Sequence, residues 1–351
     1  MRDVVIAGVK IGVGHPPFII AEMSANHNHS LKRALQIVDH AAKAGVSALK
    51  IQTYTADTMT IDINKREFMI KEPDSLWRGY SLYRLYKEAY TPWEWHKIIF
   101  DRCRKRGIIG FSTPFDESGV DFLESLKVPC YKISSFENTD LPLILKVAKT
   151  GKPLFISTGM ATKREIYDMV SVARKGGCPG VVLLKCTSSY PANPKDSNIR
   201  TIPAMRKDFC CQVGLSDHTL GIGAAVASIA LGACVIEKHF TVSRSHGGVD
   251  SVFSLEPGEM QSLVLASRKA WLSLGKIAYG PTKPEERSLL LRRSLYAVKD
   301  IEKGEKCTRE NIRSIRPGLG LPPKYLDEVI GKIVKKRIIR GTPLRWSLFV
   351  S

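Results

Sequence analysis

No stretch of this sequence approaches the roughly 18 to 20 uninterrupted apolar residues that a membrane-spanning helix needs. The first residues, Met-Arg-Asp and a few apolar residues, also lack the hydrophobic core and cleavage site of a signal peptide. We therefore expect a cytoplasmic protein with no membrane partner.

Cysteine motifs are missing as well. The eight cysteines stand singly apart from the adjacent Cys210 and Cys211, and no C-x-x-C occurs. These spacings exclude a zinc finger and a disulfide framework. Cys186 and Cys234 lie in apolar runs, where a reduced cysteine behaves as a small hydrophobe.

Signatures of nucleic-acid binding are absent too, although the net charge of +19 would suit a polyanionic partner. Lysine and arginine are spread along the whole chain, and no helix-turn-helix, RRM or zinc motif occurs. We expect a basic solvated surface, a few lysines kept for a small anionic substrate, and no nucleic-acid partner.

What the sequence has is an ordinary globular composition, 44% hydrophobic and 25% charged, over 351 residues. That length exceeds the usual limit for one hydrophobic core, so we expect one large and one small domain.

Up to about residue 275, a short apolar run alternates with a longer amphipathic stretch. Helical spacing marks Ser30–Lys43, Ser118–Leu126, Lys163–Arg174 and Gly221–Leu231. Eight strands are predicted, at Phe18–Ala21, Ala48–Ile51, Ile108–Phe111, Cys130–Ile133, Pro153–Ile156, Val181–Leu184, Gln212–Leu215 and Cys234–Glu237. Eight βα units over about 250 residues predict an α/β fold, a TIM (β/α)8 barrel.

A long insertion separates Ile51 from Ile108 and is rich in tyrosine and tryptophan. It follows the second strand, so it can form a wall or lid on the catalytic face, or its aromatic helices can pack on the outside of the barrel.

The pattern changes at a Gly/Pro-rich linker, Tyr279–Pro284. We place the catalytic barrel at 1–280, the linker at 281–292 and a small β-rich domain at 293–351. Its expected strands are Ser294–Val298, Arg313–Arg316 and Arg337–Ile339.

Active sites of TIM barrels lie where the strands end, and every predicted strand here ends on a polar group. These groups are Glu22, Lys50 with Gln52, Ser112 with Thr113, Lys132 with Ser135 and Glu137, Ser157 with Thr158, Lys185 with Thr187 and Tyr190, Ser216 with Asp217 and His218, and Lys238 with His239. Such a set predicts a site for a phosphorylated or carboxylated small molecule, with or without a divalent metal.

Each of these residues, taken alone, also has a purely structural interpretation. Glu22 can cap the helix near Ser30, and a lone histidine is more often a hydrogen-bonded core residue than a metal ligand. His218 and His239 end adjacent strands, however, within reach of one metal ion, with Asp217 as a supporting residue. Imidazole ligands with open positions suit manganese, and magnesium or cobalt are alternatives.

Ordered motifs along the chain resemble those of the sialic acid synthase family. They are I-A-E-M-S-A-N-H-N (20–28), L-K-I-Q-T-Y (49–54), F-S-T-P-F-D (111–116), Y-K-I-S-S-F-E (131–137), I-S-T-G-M (156–160), K-C-T-S-S-Y-P (185–191), G-L-S-D-H-T (214–219), I-E-K-H-F-T (236–241) and, in the tail, S-I-R-P-G-L-G-L-P-P (314–323). The tail resembles the antifreeze-like (SAF) domain of that family. A-E-M-S-A-N-H, the aromatic insertion and S-S-F-E are similar to its pseudaminic acid branch.

The resemblance implies that phosphoenolpyruvate condenses with an open-chain amino sugar, 2,4-diacetamido-2,4,6-trideoxy-L-altrose, to give a nine-carbon 2-keto acid and phosphate. Lys50 and Lys132 are then expected to bind phosphoenolpyruvate, and His218 and His239 a metal. We expect four hydroxyl groups to assist the lysines, those of Thr113, Ser135, Ser157 and Ser216. The acid–base steps are expected to be shared by the carboxylates of Glu22, Glu137 and Asp250. The pocket is expected to be lined by Gln52, Phe115 and Tyr190.

In the same family an arginine equivalent to Arg316 reaches the sugar from the other subunit, so the resemblance implies a domain-swapped homodimer. Two positions depart from the family pattern, Val249 where proline is common and Ser188 where neuraminic acid synthases carry asparagine. Alternatives are an N-acetylneuraminate or legionaminate synthase, another phosphoenolpyruvate-dependent barrel, or a carbohydrate- or nucleic-acid-binding protein.

Overall fold

The computed structural model describes residues 2–71 and 76–350. The chain divides into two compact units, Met1–Gly275 and Lys276–Ser351. Among the described residues no helix is both long enough and apolar enough to cross a bilayer.

The first unit is a closed barrel of eight parallel strands, preceded by a small antiparallel hairpin. The hairpin is β1 (Val4–Ile6) and β2 (Val9–Ile11), and the barrel strands are β3 (Phe18–Glu22), β4 (Ala48–Thr53), β5 (Ile109–Pro114), β6 (Tyr131–Ile133), β7 (Leu154–Ser157), β8 (Val181–Cys186), β9 (Gln212–Asp217) and β10 (Val235–His239). Neighbours in sequence are neighbours in the sheet, and β10 closes on β3. The predicted TIM barrel is confirmed, and the hairpin was not predicted.

Helices alternate with these strands. They are α1 (Leu31–Ala44), α2 (Ala56–Met59), α3 (Leu82–Ala89), α4 (Trp93–Lys105), α5 (Glu117–Ser125), α6 (Leu141–Lys149), α7 (Lys163–Lys175), α8 (Thr201–Phe209), α9 (Gly223–Ala230) and α10 (Pro257–Leu274). Short 3-10 helices occur at Ser24–His27, Arg66–Phe68, Pro194–Asp196, Arg244–His246, Ser251–Phe253, Lys283–Leu291, Pro323–Tyr325 and Trp346–Leu348. Ser30 caps α1 by accepting a hydrogen bond from the Arg33 N–H, so the interpretation of Glu22 as the cap of this helix is wrong.

The pleat of the strands sorts the side chains into two layers. Outward residues such as Ile19 and Leu49 pack against the helices in a large core. Inward residues near the strand starts, such as Ile20, Phe111 and Phe155, fill the barrel with a separate apolar cluster. The charged inward residues described below lie above this cluster, at the ends of the strands.

The aromatic insertion after β4 fulfils both of its expected roles, in different parts. Trp93 on α4 stacks on Phe122 with ring centroids 4.6 Å apart, outside the barrel. The ring centroid of Trp77, by contrast, lies 6.2 Å from that of Tyr190, on the catalytic face. The helix that completes the second βα unit is thus α4, and Trp77, in the preceding part of the insertion, contributes to a wall of the mouth.

Asp39 connects two outer helices. Its carboxylate accepts hydrogen bonds from Arg102 on α4 at 2.7 and 2.8 Å and from Arg106 at 2.7 Å. These bonds lower the pKa of Asp39 to about 2.

Replacing Asp39 with asparagine should therefore lower the free energy of unfolding at pH 7 by about 1 kcal/mol, a value reduced for solvent screening. A carboxyl with a depressed pKa stabilises the fold above its unfolded pKa of about 4 and loses this contribution as the pH falls toward 2. The difference between wild type and Asp39→Asn in urea unfolding should thus shrink as the pH falls below about 4 and disappear only below about pH 2. Asp168→Asn, which breaks one exposed pair with Arg164, is the control, and an equal loss there would contradict the expectation.

The second unit is small and largely irregular. It contains the antiparallel strands β11 (Ser294–Ala297) and β12 (Ile312–Ile315) and the short helix α11 (Leu326–Val329), around its own apolar core. The strand expected at Arg337–Ile339 is wrong: only a single bridge, Ile338 to Ile301, forms there, because the chain turns away on both sides.

Candidate active site

Glu237, on β10, lies at the centre of the barrel mouth between two lysines. Its Oε1 is 3.1 Å from Lys132 Nζ and 3.8 Å from Lys50 Nζ, and the Ser216 hydroxyl donates to it at 3.1 Å. Lys50 also pairs with Glu22 at 2.7 Å and donates to the Thr113 hydroxyl. All four charged groups are buried, so each depends on the others for compensation.

The protonation of this cluster follows from the same contacts. Burial alone would raise the pKa of Glu237, but Lys132 and Lys50 outweigh it and lower the pKa to about 2. Burial raises the pKa of Glu22 above its ordinary value, although Lys50 opposes this effect. Glu237 is therefore a fixed negative charge at neutral pH, and Glu22 is the carboxyl more readily protonated.

Beside Lys132 the loops after β6 and β7 form a small polar pocket. The Gly159 N–H donates to the Ser135 hydroxyl at 3.2 Å, and Ser157, two residues before Gly159, is buried. A Cβ at Gly159 would lie 2.6 Å from the Ser135 hydroxyl and would also collide with Ser188. Only glycine permits this close approach, which brings hydroxyl groups and a backbone amide together beside a lysine.

His218 and His239 face each other across the neighbouring ends of β9 and β10, with ring centroids 5.3 Å apart. His218 Nδ1 donates to the Thr187 carbonyl at 2.9 Å, which leaves its Nε2 lone pair available. Burial works against the charged form of His218, but Cys186 and the Thr187 carbonyl raise its pKa above the ordinary value. Burial lowers the pKa of His239 well below the ordinary value, so its imidazole is neutral.

Three buried polar atoms at this mouth have no hydrogen-bond partner among residues 2–71 and 76–350. They are Ser157 Oγ, Glu237 Oε2 and His239 Nδ1. Such orphaned groups are costly unless a ligand, a metal or water satisfies them. Their grouping in one barrel mouth marks where a bound molecule must supply the missing contacts.

The two histidines fit a divalent metal. His218 has the arrangement usual for a metal ligand, with its second ring nitrogen held by a carbonyl, and His239 is neutral with an unpartnered nitrogen. Asp250 Oδ2 lies 3.9 Å from His239 Nδ1. No group of three or more His, Cys, Asp or Glu side chains suited to a metal occurs in the part of the chain that is described. The protein would thus supply two ligands and leave the other positions to water or substrate.

Carboxylates and aromatic rings line the rim of the barrel mouth. Asp250 accepts hydrogen bonds from the Ser24 hydroxyl and the Ala25 N–H, and burial raises its pKa. Gln52 donates to Glu22 at 3.1 Å and to Ser24 at 3.0 Å. Tyr190 packs on His218 with ring centroids 4.4 Å apart.

Two further predicted residues lie at the outer part of the rim. Phe115 packs edge-to-face on Tyr54 at 5.1 Å. Burial raises the pKa of Glu137, while its hydrogen bond with Ser134 opposes the shift. The raised pKa makes this half-buried carboxyl easier to protonate than an exposed glutamate.

Not every polar residue at a strand end enters the mouth. Asp217 pairs with Lys238 at 2.7 Å on the outer face of β9 and β10 and bonds Thr219, so its expected role beside the metal histidines is wrong. Lys185 also points away from the barrel axis. The cause is the two-residue period of a strand, which turns alternate side chains outward. Arg316 is exposed and follows β12 in the second unit.

Glu237 and Gly159 were not singled out from the sequence. A signal for Glu237 was present: if His239 faces inward, position 237 must face inward too, and a carboxylate inside a barrel needs a cationic partner. Gly159 offered no comparable signal, because its role depends on Ser135 and Ser188 from two other loops.

The sequence model of the NeuB family matches residues 37–279, and that of the SAF domain matches residues 292–350. The chain belongs to the NeuB family. The resemblance to the sialic acid synthases is therefore confirmed, and the expected SAF domain with it.

Curated members of the NeuB family are similar over nearly the whole chain. A pseudaminic acid synthase of Campylobacter jejuni is 43% identical over 93% of this chain and 95% of its own length. One of Helicobacter pylori is 40% identical over 94% of this chain and 96% of its own length. Among solved structures, an N-acetylneuraminic acid (sialic acid) synthetase of Leptospira borgpetersenii in complex with citrate is 31% identical, with a TM-score of 0.73 over 82% of this chain and 95% of that one.

Proposed function

We propose that this NeuB-family enzyme is a pseudaminic acid synthase. It condenses phosphoenolpyruvate with 2,4-diacetamido-2,4,6-trideoxy-L-altrose and releases phosphate. The observation that carries the proposal is the buried Lys50–Glu237–Lys132 cluster beside the histidine pair, in a chain 40–44% identical to pseudaminic acid synthases.

Phosphoenolpyruvate binds over the two lysines. Its charges meet Lys50 and Lys132, and its phosphate oxygens accept from the free Ser157 hydroxyl and the pocket around Gly159. The surrounding barrel excludes water, which strengthens these contacts and fixes the enol carbon in one direction.

The sugar aldehyde lies toward His218 and His239, which hold a divalent metal, Mn²⁺ by the donor set, with Mg²⁺ or Co²⁺ as alternatives. When bound, the metal polarises the carbonyl as a Lewis acid. Asp250, Gln52 and Tyr190 line the same side and orient the hydroxyl and acetamido groups.

The reaction balances in three steps. The enol double bond supplies the electron pair for the new carbon–carbon bond, and the aldehyde oxygen takes up a proton. Water adds to the resulting cationic C2 and loses a proton, which leaves a hydroxyl group on C2. The bond from C2 to the phosphate oxygen then breaks as this hydroxyl gives up its proton, so that phosphate leaves with the bonding pair and the 2-keto group forms. The negative charge of Glu237 lies beside this cationic centre, while Glu22, Glu137 and Asp250, with raised pKa values, can hold and return protons.

The barrel carries this chemistry. We propose a domain-swapped homodimer in which Arg316 of one subunit reaches the sugar bound by the other. The reaction takes place in the cytoplasm, where phosphoenolpyruvate is formed.

A phosphate-release assay with phosphoenolpyruvate and Mn²⁺ tests the function. The altrose-type sugar should be turned over at least tenfold faster, in kcat/KM, than N-acetylmannosamine or the legionaminic acid precursor, a difference of about 1.4 kcal/mol. Mass analysis should find the nine-carbon acid. Turnover of none of these sugars would overturn the synthase proposal, and a preference for another sugar would overturn its specificity.

Substituting alanine at Gly159 should raise the KM for phosphoenolpyruvate at least tenfold, because the new methyl group displaces Ser135 and Ser188. The KM for the sugar should change little. Gly258→Ala is the matched control, since no atom lies within 4 Å of the added carbon there. Equal KM values for phosphoenolpyruvate in both variants would show that this pocket does not bind it.

A further inference from the structure

A cavity separate from the barrel mouth lies outside the ring of strands, on the same face as the active site. Its volume is about 1190 Å³, and it is bounded by the ends of β7 and β8 and the first turns of α8 and α9. Lys185 on β8 faces this cavity, whereas the inward Leu184 before it belongs to the barrel interior. The wall of strands thus separates the cavity from the Lys50–Glu237–Lys132 cluster.

The charged groups of this outer cavity are all positive. Lys185, Lys195 and Arg200 line it, and no carboxylate is among its lining residues in the described chain. Neither Lys195 nor Arg200 has an ion-pair partner in the ranges 2–71 and 76–350. Asp196, which is not a lining residue, interacts electrostatically with Lys185, so the three cations keep a net positive charge that suits an anion.

Two further observations point to a ligand. Ser197 lines the cavity at 6% exposure, and its hydroxyl has no hydrogen-bond partner among the described residues. Helix α9 begins at Gly223 on the cavity wall without a side-chain cap, so backbone N–H groups of its first turn are directed there. A buried orphan hydroxyl and an uncapped helix start are the donors that a phosphate accepts.

The remaining surface is apolar and too extensive for a bare phosphate ion. Met160 and Leu220 are 65% and 63% exposed at the cavity, and Ile199 and Met205 also line it. Exposed apolar side chains beside an anion site favour a ligand that joins a phosphate to a flat or apolar group.

The outer cavity is also connected to the active site. Lys185 Nζ donates to the Thr187 hydroxyl at 2.8 Å, and the Thr187 carbonyl accepts from His218 Nδ1 at 2.9 Å. A phosphate that draws Lys185 toward itself would change the position of Thr187 and so the orientation of His218.

We propose that this outer cavity binds an organic phosphate of the nucleoside monophosphate class, and that its occupancy alters the rate of the synthase through Lys185, Thr187 and His218. The binding part is independent of the proposed function, and the rate part rests on it.

Isothermal titration of the full chain with AMP, GMP, CMP and UMP, and with inorganic phosphate, tests the binding part. At least one nucleotide should bind with a Kd below about 1 mM and at least tenfold more tightly than inorganic phosphate. The double variant Lys195→Gln/Arg200→Gln should weaken this binding at least tenfold, because two charge-assisted hydrogen bonds are lost. Lys175→Gln, an exposed lysine on α7 outside the cavity, should change it less than twofold.

Competition separates the two sites. If the nucleotide occupied the active site, its apparent Kd would rise without limit as phosphoenolpyruvate is added; at a coupled second site it reaches a plateau. Any one of four results would overturn the site. They are no binding of any nucleotide, binding no tighter than that of inorganic phosphate, an unaltered Kd in the double variant, and an apparent Kd that rises without limit as phosphoenolpyruvate is added.

The rate part needs a separate measurement. A saturating nucleotide should change kcat of phosphate release at least twofold in the wild type and in Lys175→Gln, but not in the double variant. Tight binding with an unchanged rate in the wild type would overturn the coupling and leave the site.

Discussion

Replacing Glu237 with glutamine should lower kcat about 1000-fold, a loss of about 4 kcal/mol of transition-state stabilisation. The substitution keeps the shape of the side chain but removes the negative charge beside the cationic centre that forms at C2. The KM for phosphoenolpyruvate should stay the same or fall, because Lys50 and Lys132 lose their shared counter-charge and meet the substrate with a larger net positive charge. A large fall in kcat without any rise in the KM for phosphoenolpyruvate is the distinguishing result.

Steady-state kinetics with each substrate varied in turn would measure both constants. Glu94→Gln, an exposed glutamate on α4, serves as the control, and circular dichroism of both variants would show that the barrel persists. A kcat within tenfold of the wild type would contradict a role for Glu237 in the reaction and leave it only as a counter-ion for the lysines.

Loss of either histidine should remove both the metal and the activity. In His218→Asn and His239→Asn we expect Mn²⁺ affinity to fall at least 100-fold and kcat/KM to fall at least 1000-fold, since only two protein ligands hold the ion. The free-Mn²⁺ signal in electron paramagnetic resonance measures binding directly and needs no turnover. The wild type should take up about one Mn²⁺ per chain.

His40→Asn, on the outer helix α1, is the matched control and should bind Mn²⁺ as the wild type does. Chelation should abolish the activity of the wild type, and added Mn²⁺ should restore it. Undiminished Mn²⁺ binding in both active-site variants would show that the histidine pair is not the metal site.

Much of this site was predictable because a TIM barrel has a simple rule. Residues at the ends of its parallel strands meet at one mouth, so an apolar run followed by a polar residue locates each contribution. Glu22, Lys50, Lys132, His218 and His239 were found in this way, and the structure brings all of them to one mouth. Their catalytic roles stay predictions.

The rule does not predict whether a residue at the end of a strand faces into the barrel or outward. Predicted strand starts differ from the observed ones by one residue at β5, β6, β7 and β10. These boundary differences do not change which way a residue faces, but two adjacent residues of a strand always face opposite sides of the sheet. Asp217 and His218 both looked suitable from their position, but only His218 points inward.

The order of strands and helices, the polar group at each strand end and the family motifs could be read from the chain alone, because they depend on residues close together in it. The position of Glu237 between Lys50 and Lys132, and that of Gly159 against Ser135 and Ser188, became visible only in the folded barrel. Lys132 and Glu237 are 105 positions apart, and no local pattern links them. Closure of the barrel sets their distance, and burial then makes each charge depend on the other.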